Sequence, residues 1–187
     1  MRRVTFHEIS SWQWCHLRHY LAYTLGLEPI EKKPQMLLGT VIHESLSRFY
    51  TTPPQKRSLE LLMALPEEAP ARAQDILTSF WKEFRQDGLI GHSETEIGYV
   101  IPGKEYTLVA HPDFYEINSR ALILHEFKTG KDPDLEHLLL FDPQKWFYLA
   151  VLLYALNPLK LQCSYTTLMT VPPFKVEREK FTVSVEA

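Results

Sequence analysis

Glu126 and Lys128 stand two residues apart at the end of an apolar run, Ala121 to Phe127, and a further carboxylate, Asp113, follows Pro112 inside the run Thr107 to Ile117. A strand alternates faces with a period of two, so Leu122, Leu124, Glu126 and Lys128 point one way and Phe127 the other. Two charges then share a face with core residues. Burying a charge is costly unless it is paired or coordinates a metal.

Asn118-Ser119 supply turn chemistry between the two runs, so they read as a hairpin. A two-residue loop at Asn118-Ser119 pairs Asp113 with Leu124 and leaves Glu126 as its diagonal neighbour; a four-residue loop, 118 to 121, sets Asp113 opposite Glu126. Either register puts both carboxylates on one face, whereas a one- or three-residue loop separates them. Pro112 is a candidate bulge that would upset this parity. Like charges this close call for a cation.

The elements that must position these residues follow from periodicity. Thr5 or Ser10 to Leu25 reads as an amphipathic helix with Thr5 and Glu8 at capping-box spacing, ended by the stretch Gly26 to Pro34. Met36–Tyr50, Ser58–Leu65 and Ala69–Asp87 read as three more helices, interrupted at Pro53-Pro54 and closed by Gly88 and Gly91. Strands are predicted at Glu96–Ile101, Tyr106–Ile117 and Ala121–Lys128, then a polar loop, a helix Gln144–Leu156 opened by Asp142-Pro143, and strands Leu161–Thr170 and Lys175–Val185. This order predicts an α/β fold: a mixed β-sheet flanked by helices, in one domain over 1–187 with a helical N-terminal half, 1–91, and a sheet core, 92–187.

The chain has 187 residues, 45% of them hydrophobic and 23% charged, the ordinary composition of a soluble domain. Its longest apolar run, Trp146 to Leu156, is too short for a bilayer, and the N-terminus lacks a signal-peptide pattern, so a cytoplasmic protein without membrane business is expected. Cys15 and Cys163 read as buried free thiols, too few for an iron–sulfur cluster. A net charge of −3 argues against a dedicated high-affinity nucleic-acid binder. His7-Glu8 and His43-Glu44 lack the second histidine of an HExxH zinc site, and no phosphate-binding GxxxxGK[ST] loop is present.

Pro112-Asp113, Glu126-Phe127-Lys128 and then Gln144-Lys145-Trp146-Phe147-Tyr148 together resemble the PD-(D/E)xK nuclease superfamily, with a restriction-endonuclease-like core. The upstream Gly39-Thr40-Val41-Ile42-His43-Glu44 and the Gln-x-x-x-Tyr spacing are similar to its RecB-like branch, which includes nuclease domains of recombination helicase-nucleases and CRISPR-associated adaptation exonucleases. The likeness covers roughly 15 to 150, and the Ser10 to Cys15 opening also looks like this branch, without the proline that often follows that cysteine. It implies metal binding by His43, Asp113, Glu126 and Phe127, a catalytic set of Asp113, Glu126 and Lys128, and Gln144 with Tyr148 near the substrate. The iron–sulfur cysteines of many relatives are not here.

Oxygen-rich ligation with one imidazole suits Mg²⁺ or Mn²⁺. The resemblance therefore implies a metal-dependent deoxyribonuclease, exonucleolytic on single strands or DNA ends, serving repair, recombination or phage- and CRISPR-related processing. The net charge of −3 adds the expectation of a protein partner or a second copy that supplies basic surface. Two other readings are an idle nuclease fold acting as a DNA-binding or scaffolding subunit, and an α/β interaction domain without nucleic-acid business.

Overall fold

The computed structural model describes residues 1–28, 34–118 and 121–183. In chain order the elements are β1 (Arg2–Thr5), α1 (Phe6–Trp14), α2 (His16–His19), a π-helical turn (Tyr20–Thr24), α3 (Pro34–Thr51), α4 (Leu59–Leu62), α5 (Arg72–Phe84), β2 (His92–Ser93), β3 (Ile97–Val100), β4 (Tyr106–Ala110), β5 (Phe114–Asn118), β6 (Ala121–Gly130), α6 (Leu135–Phe141), α7 (Pro143–Leu156), β7 (Lys160–Met169) and β8 (Val176–Val183). The mixed α/β class read from the sequence is the observed one. The chain forms two compact units, one from 1–32, 96–111 and 143–157, the other from 33–95, 112–142 and 158–187.

The first unit has a three-stranded sheet in the order β1-β4-β3, with β1 parallel and β3 antiparallel to β4. Thr5 caps α1, its hydroxyl accepting the Glu8 N–H at 3.2 Å, as the capping-box spacing predicts. The single helix expected to reach Leu25 is broken instead, because Cys15 takes an extended backbone between α1 and α2. Its thiol, expected to be buried, is exposed, while that of Cys163 is buried.

The second unit has a five-stranded mixed sheet in the order β2-β5-β6-β7-β8. β6 and β7 are parallel, and the connection between them carries α6 and α7. Leu38, Ile42, Leu46 and Phe49 recur at helical spacing along α3 and bury against Ile76, Leu77 and Phe80 of α5, with Phe114, Phe127 and Leu168 of the sheet in the same core.

The expected strand Tyr106–Ile117 is two strands belonging to two sheets. Proline has no N–H for a ladder, and the break falls at His111-Pro112-Asp113. The hairpin β5–β6 pairs Ile117 with Leu122 and Asn118 with Ala121, so the register is the one that extends to face Asp113 with Glu126. Asn118 is thus a strand residue, and Ser119 lies outside the described residues, as do 184–185 of the last predicted strand. The polar loop expected after β6 contains α6, which Asp134 caps by accepting the His137 N–H at 2.9 Å. The sequence reading also missed β1 and the two-residue β2. Among the described residues no helix is long and apolar enough to cross a membrane.

Candidate metal centre and catalytic face

The core stripe of α3 fixes where His43 points. Val41 and Ile42 are buried, and His43 follows on the adjoining flank with 29% of its side chain exposed. Its Nδ1 lies 3.0 Å from Asp113 Oδ1, and the other oxygen of Asp113 accepts the Phe127 N–H at 2.7 Å. One carboxylate thereby ties α3 to the start of β5 and to β6.

Glu94 completes the group. It follows β2 with a φ of 49°, a left-handed conformation rare outside glycine, and its N–H donates to the Asp113 carbonyl at 3.2 Å. Gly91 lets the preceding chain run close over β5, since a Cβ there would sit 2.2 Å from the Tyr115 carbonyl oxygen. Donor atoms of His43, Glu94 and Asp113 lie within 4.8 Å of one another. A cavity of about 730 Å³ opens beside them, lined along α3 by Thr40, Glu44 and Ser47.

Burial alone would lower the His43 pKa, but the hydrogen bond and charge of Asp113, with Glu94 behind it, raise it above the ordinary value. Burial and the Asp113 charge raise Glu94 as well. Glu126, 1% exposed, is pushed well above the carboxylate range, first by burial and then by Asp113, against the opposing pull of Lys128. Its Oε2 stands 3.9 Å from Lys128 Nζ, while its Oε1 is buried without a hydrogen-bond partner among the described residues.

These residues fit a hard divalent cation. An orphaned buried carboxylate oxygen is a group that a cation would satisfy, and the neighbouring donors are carboxylates and one imidazole.

Behind the group, Tyr50 stacks on Phe127 with ring centroids 5.6 Å apart and packs on Phe114 at 5.0 Å. Its hydroxyl donates to Asp87 Oδ2 at 2.9 Å and accepts from Arg178 at 2.7 Å. Arg178 also pairs with Asp87 directly, so a buried ionic network anchors the aromatic stack under β5 and β6.

Of the residues expected from the sequence, His43 and Asp113 join directly, and Glu126 and Lys128 share a face of β6 next to them. The Phe127 ring lies in the core and offers no donor, so any role it has with a metal falls to its main chain. Gln144 and Tyr148 belong to the other unit, where Gln144 Nε2 donates to the Tyr148 hydroxyl at 2.9 Å across one turn of α7. His125 is held by Glu116 at 2.8 Å, and His111, in the other unit, lies 3.7 Å from Glu96. Glu94 escaped sequence reasoning because nothing in Ser93-Glu94-Thr95 announces it; only the fold brings it to Asp113.

The sequence matches the PD-(D/E)XK nuclease superfamily over residues 3–183. No curated protein matches it. Among solved structures, one described as "Putative exonuclease" from Eubacterium rectale aligns with a TM-score of 0.57 at 12% identity, covering 91% of this chain and 66% of that one. An alkaline exonuclease from Laribacter hongkongensis aligns at 0.34 and 12% identity, covering 80% and 82%. The likeness to the first is one of fold, and the family match extends over nearly all of the sequence: this chain belongs to the PD-(D/E)XK nuclease superfamily.

Proposed function

We propose that the protein is a metal-dependent deoxyribonuclease of the RecB-like branch, acting exonucleolytically on single strands or DNA ends, with residues 1–187 working as one nuclease domain. The observation that carries this reading is the meeting of His43, Asp113 and Glu94 beside the Glu126/Lys128 face. Asp113, Glu126 and His43, with Glu94 as a fourth candidate, would hold Mg²⁺ or Mn²⁺. A bound divalent ion supplies Lewis-acid stabilisation of the charge that grows on the phosphate oxygens. Lys128, only 26% exposed, offers an ammonium to orient the attacking water or to neutralise developing charge. Water loses a proton to solvent as its oxygen bonds to phosphorus, the bond to the departing oxygen breaks, and that oxygen takes up a proton from solvent. Gln144 and Tyr148 are proposed as substrate contacts, and no iron–sulfur cluster is invoked.

Release of acid-soluble nucleotides from labelled DNA, dependent on Mg²⁺ or Mn²⁺ and abolished by excess EDTA, is the expected result. DNA binding without any metal-dependent release would instead support an idle fold serving as a scaffold.

A further inference from the structure

Asp142 and Tyr165 have no role in the chemistry described so far. In the parallel register of β6 and β7, Tyr165 is the partner of Glu126, and Lys128 follows two residues on, opposite Thr167. Tyr165 therefore stands on the same face of the sheet as Glu126 and Lys128. It is fully buried, and its hydroxyl donates to Asp142 Oδ2 at 2.5 Å. That same oxygen lies 3.6 Å from Lys128 Nζ, nearer than the 3.9 Å of Glu126 Oε2.

A lysine is a flexible chain ending in a point charge, so something must hold it where a reaction needs it. Glu126 Oε2 at 3.9 Å and Asp142 Oδ2 at 3.6 Å both lie beyond hydrogen-bond range, so each acts on the ammonium as an ion-pair partner through its charge, and Asp142 is the nearer. Asp142 is better placed to steer it. Its backbone is pinned on both sides, by its N–H to the Leu138 carbonyl at 3.4 Å and by the ring of Pro143. Its carboxylate is aimed by Tyr165. A phenylalanine would fill the core at 165 equally well, and a buried hydroxyl is worth keeping only when it has a partner.

We propose that Asp142, aimed by the Tyr165 hydroxyl, is a positioning residue that holds the Lys128 ammonium in place for phosphodiester cleavage; its catalytic purpose rests on the nuclease reading above. Acting through Lys128, it has no effect once Lys128 is gone.

The test is a double-mutant cycle on single-stranded oligonucleotide cleavage at saturating Mn²⁺, paired with spectra of protein carrying ¹³C-labelled lysine. Asp142→Asn should lower kcat by about 10- to 100-fold, the scale of groups that orient others, with KM and Mn²⁺ affinity unchanged. Tyr165→Phe, which keeps the charge, should give a smaller loss of the same kind. Asp142→Asn on top of Lys128→Met should cost nothing further. In the spectra, the two ε-protons of Lys128, assigned by their disappearance in Lys128→Met, should have separate shifts in wild type and merge in Asp142→Asn and Tyr165→Phe. A multiplicative loss in the double variant, or separate ε-proton shifts retained in both single variants, would overturn the proposal. An inactive wild type would overturn the nuclease reading and the catalytic purpose with it, while the spectra would still decide whether Asp142 holds Lys128.

Discussion

His43 Nδ1 and Asp113 Oδ1 lie 3.0 Å apart although 70 residues separate them in the chain. His43 is the one imidazole among the candidate donors His43, Glu94 and Asp113, and it is the proposed nitrogen ligand. Imidazole favours Mn²⁺ over Mg²⁺, which prefers an all-oxygen octahedron. Activity should therefore be higher, or reached at lower concentration, with Mn²⁺. His43→Ala should reduce manganese activity more than magnesium activity, and titration of both ions on both proteins measures the ratio. An unchanged ratio would remove His43 from the ligands.

Glu126 should weaken the metal-free protein. Its folded-state pKa is raised above the ordinary 4.5 by burial and by Asp113, so the fold favours the protonated form. The stability it contributes is whole below 4.5 and is lost as pH rises through the folded value. In EDTA, Glu126→Gln should match wild type in acid and exceed it in melting temperature by a margin that widens towards neutral pH, while cleavage is abolished. Asp113→Asn should abolish cleavage too but lower the melting temperature, because Asp113 accepts from His43 and from the Phe127 N–H.

Lys128→Met keeps most of the aliphatic stem. Metal binding should survive, read by calorimetry, while turnover falls by roughly 10² to 10⁴, the scale of a positioned electrostatic or acid–base group. Near-normal turnover would take Lys128 out of the reaction.

Arg178 is the cation of the buried network under the metal-binding candidates. Arg178→Met leaves Asp87 buried beside Tyr50 without its partner and should destabilise by about 3–5 kcal/mol in denaturant unfolding. Burial opposes ionisation of Asp87, but the charge and hydrogen bonds of Arg178 prevail and hold its pKa below the ordinary 3.8. The pair's contribution is therefore whole above 3.8 and disappears as pH falls through the folded value, so the gap between wild type and variant should narrow in acid.

With a net charge of −3, the isolated chain should bind DNA weakly and with a steep salt dependence. A protein partner or second copy would then supply the basic surface. Nanomolar binding by the pure monomer at physiological salt would contradict this.

Period-two alternation is a local property of the backbone, and it makes the shared face of Leu122, Leu124, Glu126 and Lys128 readable from residue order. Residue order narrows the hairpin to loop lengths of one parity or the other, and the observed pairing of Asn118 with Ala121 selects the one that faces Asp113 with Glu126. The apolar spacing along α3 marks its buried side from the sequence. Three things are not legible there. Pro112 reads as a bulge within one strand, but whether a proline bends a strand or hands the chain to another sheet depends on which partners its neighbours find, and β4 and β5 find different ones. Glu94 reaches Asp113 through a left-handed residue and a close passage at Gly91, conformations that a polar tripeptide does not encode by pattern. Asp142 reads as a helix-start residue, and its approach to Lys128 arises because β6 and β7 lie parallel and bring Tyr165 beside Glu126. Local periodicity is carried by neighbours in sequence; distances between charges are set by which elements pack together, and only the folded chain decides that.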